Sequence, residues 1–190
     1  MLSLLDSFEN LEKAKLPIAK YQLVKNEHDL KKLQFPIWLK ANVEGHKLEL
    51  GAVVKANSFK EAEAVLKELR KKFPQEAIIA QEQVSGIEII LGLKEDKVFG
   101  KLLAIGFGGT FTEIVKDISF RALPVDKKEI EKQIKELKLY PALVSRKKYA
   151  VSKLISLADK LANSEFKEVD LNPVIVTEKD ALIIDARIEI

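Results

Sequence analysis

Apolar positions recur along this chain with two different periods, and the change from one to the other marks its elements. After Ser58 the apolar residues Phe59, Ala62, Val65, Leu66 and Leu69 keep the three-to-four spacing of one helix face. A helix capped by Ser58 and running to about Phe73 is therefore expected. Further helices are expected over 3–14, over NEHDLKKL with Asn26 as its cap, from Asp126 to about Leu137, and over 148–162. In the last of these Leu154, Ile155, Leu157, Ala158 and Leu161 point inward. Strands are expected at AKYQLV (19–24), at Pro36–Lys40, where a buried run ends in a cation, and at 48–54. After Pro74 the texture turns to strands: AIIAQEQV, IEIILGL, KLLAI, and finally EVDLNPVIV and ALIIDARIEI. Strands and helices alternate without regular βαβ units, so the expected class is α+β.

The last two strands carry a candidate site. If they pair as an antiparallel hairpin centred between Glu178 and Lys179, Asn172 faces Asp185 and Asp170 faces Arg187. Side chains alternate, so these four share one face, and Val169, Leu171, Ile175, Leu182, Ala186 and Ile188 share the other. An amide oxygen beside a carboxylate suits a hard cation such as Mg²⁺, which takes few protein ligands and completes its shell with water and phosphate. A cross-strand hydrogen bond with a surface ion pair is the other reading of the same residues.

Composition narrows the class. The 190 residues can build one good core or two small subdomains. Lys and Arg number 32 against 29 Asp and Glu, interleaved on helix faces, so nothing in the charge calls for nucleic acid or an acidic membrane. Cysteine is absent, which removes disulfides, thiolate metal sites and a thiol nucleophile. No apolar run approaches the roughly 18 residues of a membrane helix, and no secretory signal is read at the start. A cytoplasmic protein is expected.

The densest chemistry lies in 100–121. Gly100, Gly106, Gly108 and Gly109 fall within ten residues, Gly100 just before the strand-like KLLAI and the other three after it. Such glycines let the backbone take positive φ and approach a ligand, although a tight turn or bulge reads the same. The spacing is neither GxGxxG nor a phosphate loop ending in Gly-Lys-Ser/Thr. Gly106-Phe107-Gly108-Gly109, then Glu113, then Lys116-Asp117-Ile118-Ser119-Phe120-Arg121 resembles a long motif of the ATP-grasp subunit of ADP-forming acyl-CoA synthetases, relatives of the succinyl-CoA synthetase β subunit. The resemblance covers nearly the whole chain. It implies a single ATP-grasp domain over 1–190, with subdomains of about 16–81 and 82–190 and the nucleotide between their sheets.

The same resemblance assigns residues. Asp170-Leu171-Asn172-Pro173 with Asp185-Ala186-Arg187 is similar to the family's metal hairpin, which implies Asn172 and Asp185 as Mg²⁺ ligands. His46, in the loop between two strands, aligns without a gap to the family's phosphorylated histidine. A lone loop histidine is ordinarily solvated, but a neutral imidazole can also attack phosphorus. Lys40 aligns with a phosphate-contacting lysine, and Lys47 is a second phosphate candidate. The Ala80–Val84 strand resembles an adenine-binding hinge, with backbone near Gln81 and Val84 on the adenine and Glu82 on the ribose. Glu88 would face the nucleotide, and Gly108 and Gly109 would lie along it. The implied activity is that of an acid–thiol ligase subunit using ATP/ADP and Mg²⁺: acyl-CoA + ADP + phosphate to acid + ATP + CoA. A CoA-binding alpha subunit is implied as partner in a hetero-oligomer, with phosphate and acyl-CoA handled there. Another ATP-grasp carboxylate ligase, or a non-catalytic nucleotide-binding subunit, remains open at this point.

Overall fold

Strand pairing sorts the chain into two antiparallel sheets, one in each of two compact units. The structure is a computed structural model that describes residues 2–43, 50–109, 115–145 and 148–189. One unit comprises Ala19–Val84 with Ser3–Leu5, and the other joins Asp6–Ile18 to Ser85–Ile190. Helix α1 (Leu4–Lys13) contributes to both.

In the smaller unit, β1 (Tyr21–Leu23), β2 (Ile37–Ala41), β3 (Val53–Ala56) and β4 (Ile78–Glu82) pair in the order β1-β4-β2-β3. Two helices accompany them, the single turn α2 (Glu27–Leu30) and α3 (Phe59–Lys72). Asn26 and Asp29 close a reciprocal capping box on α2, and the Ser58 hydroxyl accepts from Glu61 N at the start of α3. Ala62, Leu66 and Leu69 of α3 bury one sheet face, formed by Ile37, Leu39, Ile78 and Ala80. Pairing of Trp38 with Gln81 and of Lys40 with Ile79 puts these four on the opposite face. The third strand lies later than the expected 48–54, because a turn at Leu50–Gly51 precedes it.

In the larger unit, β5 (Ile87–Asp96), β6 (Gly100–Phe107), β7 (Ile118–Ala122), β8 (Glu168–Val176) and β10 (Ala186–Glu189) form a sheet ordered β10-β8-β5-β6-β7, and β9 (Ala181–Ile183) pairs with β8. Helices α4 (Lys127–Lys135), α5 (Pro141–Val144) and α6 (Val151–Ala162) complete it. Ile89, Leu91, Leu93, Leu103 and Ile105 share one fully or nearly buried face. From α4, the Gln133 amide donates to the carbonyls of Leu103 and Ser119, at 3.1 and 2.9 Å, tying that helix to β6 and β7. Glu88, Gly92 and Phe120 lie on the other face, Phe120 half exposed.

Two expectations change here. KLLAI does not end before the glycines: β6 runs on through Gly106 and Phe107, and Gly106 pairs with both Ile90 and Ile118. The expected final strand is split into β9 and β10, with Ile184 and Asp185 outside both. The split faces an irregularity in β8. Between Ile89 and Leu91 of β5, the partners on β8 move from Val174 to Leu171, so Asn172 and Pro173 stand as a bulge. Ile184 N donates to the Pro173 carbonyl at 3.0 Å across this gap.

Candidate functional site

The glycine turn builds a small pocket in the larger unit. Gly108 N donates to the Glu88 carbonyl at 2.8 Å, which pins the end of β6 to the start of β5. Gly109 has φ +71, and a Cβ placed there would fall 2.7 Å from Glu88 Oε2. Its left-handed backbone favours glycine at Gly109, and the Glu88 carboxylate, free to swing, lies over it. Glu88, Gly108 and Gly109 line a pocket of about 340 Å³ with Gly86, Ile87, Phe107, Leu139 and Ala142. Three of the residues expected to meet the nucleotide are thus brought together, in a setting more apolar than a bare phosphate site.

The residues after the turn fasten it to the rest of the unit. Asp117, nearly buried, accepts from Lys138 N and Leu139 N at 2.9 and 2.8 Å. Arg121 reaches from β7 to Glu129 of α4 at 2.9 Å and to Glu136 just beyond it. Those two carboxylates raise the pKa of the guanidinium. Both side chains fasten the strand behind the turn to the helical layer. Neither role was legible in the sequence, because each depends on partners brought in by tertiary packing. Thr110–Ile114, with Glu113 of the motif, lies outside the described residues.

At the bulge, the acid–amide cluster takes shape. Arg187 stands opposite Asp170 in the ladder, as the hairpin reading expects. Asp170 and Asn172 are exposed, and Leu171 between them is fully buried. Asp185 is half-buried and its Oδ1 accepts from Ala186 N at 3.0 Å. Although the Asp170 residue reaches solvent, protein atoms crowded around its carboxyl raise its pKa above the ordinary value; Arg187 opposes the rise and Asp185 adds to it. Two acids whose charges bear on each other, with Asn172 in the adjoining bulge, fit a hard divalent cation. Among the described residues no three His, Cys, Asp or Glu side chains form a metal cage. The donors on offer are one or two carboxylates and an amide, the number Mg²⁺ ordinarily takes from protein.

In the smaller unit, Lys40 is buried at 4% exposure on the face opposite α3, beside Trp38 and Gln81. Gln81 is fully buried, and neither its side-chain nitrogen nor its oxygen has a hydrogen-bond partner. Such an orphaned amide costs stability unless a ligand completes it. Glu82 has the opposite orientation. Its side chain leaves β4 on the α3 side, where Oε1 accepts from Lys20 N at 3.0 Å. The structure therefore does not bring the Glu82 carboxylate together with Lys40 and Gln81. Next along the hinge, Trp38 Nε1 donates to Gln83 Oε1 at 2.7 Å, and Gln83 Nε2 donates to the Val84 carbonyl at 3.0 Å. The indole thus holds the hinge through an amide, a link the sequence alone does not disclose. His46 and Lys47 lie outside the described residues.

Comparison with known proteins decides the family. The family model described as ATP-grasp domain matches residues 1–190. The chain belongs to the ATP-grasp family. Among relatives of this ATP-grasp domain, the acetate–CoA ligase [ADP-forming] I subunit beta of Pyrococcus furiosus is 30% identical over 196 residues, covering 90% of this chain and 84% of that one. The acetate–CoA ligase [ADP-forming] II of Archaeoglobus fulgidus is 34% identical over 170 residues, 83% of this chain but 25% of that one. The domain thus spans most of one relative and a quarter of another. Acetyl-coenzyme A synthetase 1 of Ca. Korarchaeum cryptofilum, solved with coenzyme A and Mg-AMPPCP and with its phosphohistidine segment pointing towards the nucleotide binding site, superposes with a TM-score of 0.83 at 27% identity, over 98% of this chain and 92% of that one. The α+β architecture expected from the alternation of elements is that of this ATP-grasp domain.

Proposed function

We propose that the chain is the nucleotide-binding subunit of an NDP-forming acyl-CoA synthetase, acting in acyl-CoA + ADP + phosphate = acid + ATP + CoA. The observation that carries this reading is similarity along 84% of a beta subunit of that activity. Asp170, Asn172 and Asp185 at the β8 bulge support it from this chain's own residues.

In this reading Asn172 and Asp185 hold Mg²⁺, which supplies positive charge to the nucleotide phosphates when bound. Lys40 and Lys47 meet phosphate oxygens, where an ammonium offsets charge on a phosphoryl group in transfer. The backbone near Val84, just past the end of β4, takes the adenine edge, and the buried Gln81 amide gains the partner it lacks. Glu88, Gly108 and Gly109 bound the nucleotide from the larger unit, and Glu82 serves by its backbone. His46 carries phosphoryl: with its phosphoimidazole protonated on the other ring nitrogen, the N–P bond breaks as a β-phosphate oxygen of ADP bonds to phosphorus, and the ring leaves as neutral imidazole beside ATP. The acyl and CoA chemistry belongs to a CoA-binding alpha subunit in a hetero-oligomer. Absence of cysteine suits a reducing compartment, and on that ground the cytoplasm is proposed.

Calorimetry with ADP and ATP, with and without Mg²⁺, tests the reading. Binding should require Mg²⁺, and Asp185→Ala should weaken it at least about tenfold, as expected for a lost cation ligand. Tight binding unaffected by Mg²⁺ or by this substitution sinks the metal assignment. A His46→Asn chain that still supports turnover with the alpha subunit sinks the relay and favours a ligase using acyl phosphate directly.

A further inference from the structure

The pocket bounded by Glu88, Gly108 and Gly109 has a wall that the chain supplies from far away in sequence, Leu139 and Ala142. One residue joins that wall to the glycine turn. Asp117 accepts Phe107 N through its main-chain carbonyl at 3.0 Å, and accepts Lys138 N and Leu139 N through its two carboxylate oxygens. Phe107 and Leu139 both line the pocket, and Gly108, next to Phe107, is itself bonded to the carbonyl of Glu88. Every bond of the knot thus ends on a pocket residue or its neighbour.

The backbone around Asp117 is committed to this arrangement. Lys116, just before it, sits at φ 45, a conformation a lysine adopts only when its surroundings impose it. Gly106 lies so close that a Cβ there would be 2.8 Å from the Asp117 carbonyl. The carboxylate is nearly buried, and its bonds to two main-chain N–H groups compensate the lost water.

We propose that Asp117 is a positioning residue for the nucleotide pocket: it fixes the distance between the glycine turn and the Leu139–Ala142 wall. This rests on the nucleotide reading above. It does not touch ligand itself; it acts through Phe107, Gly108 and Leu139. Arg121 offers the control, since it fastens the same strand to α4 through Glu129 and Glu136 without bonding any pocket residue.

The test compares the full chain with Asp117→Asn, Asp117→Ala and Arg121→Met. Mg-ADP affinity is measured by calorimetry, folding stability by urea titration, and protection of the Gly108, Lys138 and Leu139 amides by hydrogen exchange. Asp117→Asn keeps the shape and one acceptor oxygen. It should weaken Mg-ADP about tenfold, Asp117→Ala more, as misplacement of binding groups does. Both should expose those amides. Arg121→Met should lower stability while affinity and the three amides stay as in wild type. Affinity unchanged in both Asp117 variants, or an Arg121 variant equally weakened, overturns the positioning role. A wild-type chain with no affinity for Mg-ADP overturns the functional reading and this proposal together, whereas a binding wild type with the wrong variant pattern overturns this proposal alone.

Discussion

At the scale of single residues, the molecule accepts an energetic cost at Gln81. A fully buried amide with neither atom paired lowers stability by about 1–3 kcal/mol for each unsatisfied group. Gln81→Met fills the same volume without polar atoms. Without nucleotide, this variant should be more stable in urea by about that amount, and its Mg-ADP affinity should fall. A variant that loses both stability and affinity contradicts the idea that the amide waits for a ligand. The sequence placed Gln81 at the hinge but only for its backbone, because whether a buried side chain is satisfied depends on the whole fold. Glu82 shows the same limit from the other side. The family resemblance implied a ribose contact, while the alternation of β4 turns its carboxylate to the Lys20 N–H.

At the scale of elements, what is local was legible. Asn26, Ser58 and Asp126 each cap the helix they were expected to cap. Ser58→Ala should cost about 1 kcal/mol in chemical denaturation, the usual value of such a cap. The caps and turns also set the response to acid. Backbone N–H groups of Lys25 and Asn26 lower Asp29, those of Val98 and Phe99 lower Asp96, Asn57 lowers Glu61, and Arg121 lowers Glu129. A carboxyl lowered on folding contributes stability that is complete above its unfolded value and is lost as pH falls through the folded one. Denaturation midpoints should therefore fall as pH drops below the usual carboxylate range, and Glu61→Gln should flatten part of that slope. Asp170 has the opposite sign, so its ionised form opposes folding. Elements fixed by distant partners were not legible. β7 was hidden inside a motif read as a ligand loop, and the split between β9 and β10 follows a bulge in β8 that hydrophobic pattern does not mark.

At the scale of the whole molecule, each unit has a core of its own. In the smaller one, Leu66 of α3 is buried against strands β2 and β4. Leu66→Ala should cost about 2–5 kcal/mol there. Hydrogen exchange should locate the loss in residues 19–84, and a loss spread evenly over the chain would count against separate cores. The class was legible because alternation of strands and helices is a property of the pattern itself. The family resemblance rested on a long run of residues, and the domain match spans 1–190.

Trp38 is the single tryptophan, and cysteine is absent. Its indole is bonded to Gln83, so it shares a face with Lys40 and a hydrogen bond with the hinge. Optically, the protein is therefore a one-tryptophan system whose lamp sits where the purine is proposed to arrive. A thiol introduced anywhere on the surface would be the sole attachment point for a dye. Excited at wavelengths that tyrosine does not absorb, Trp38 would pass energy to that dye with no second tryptophan or second label in the background.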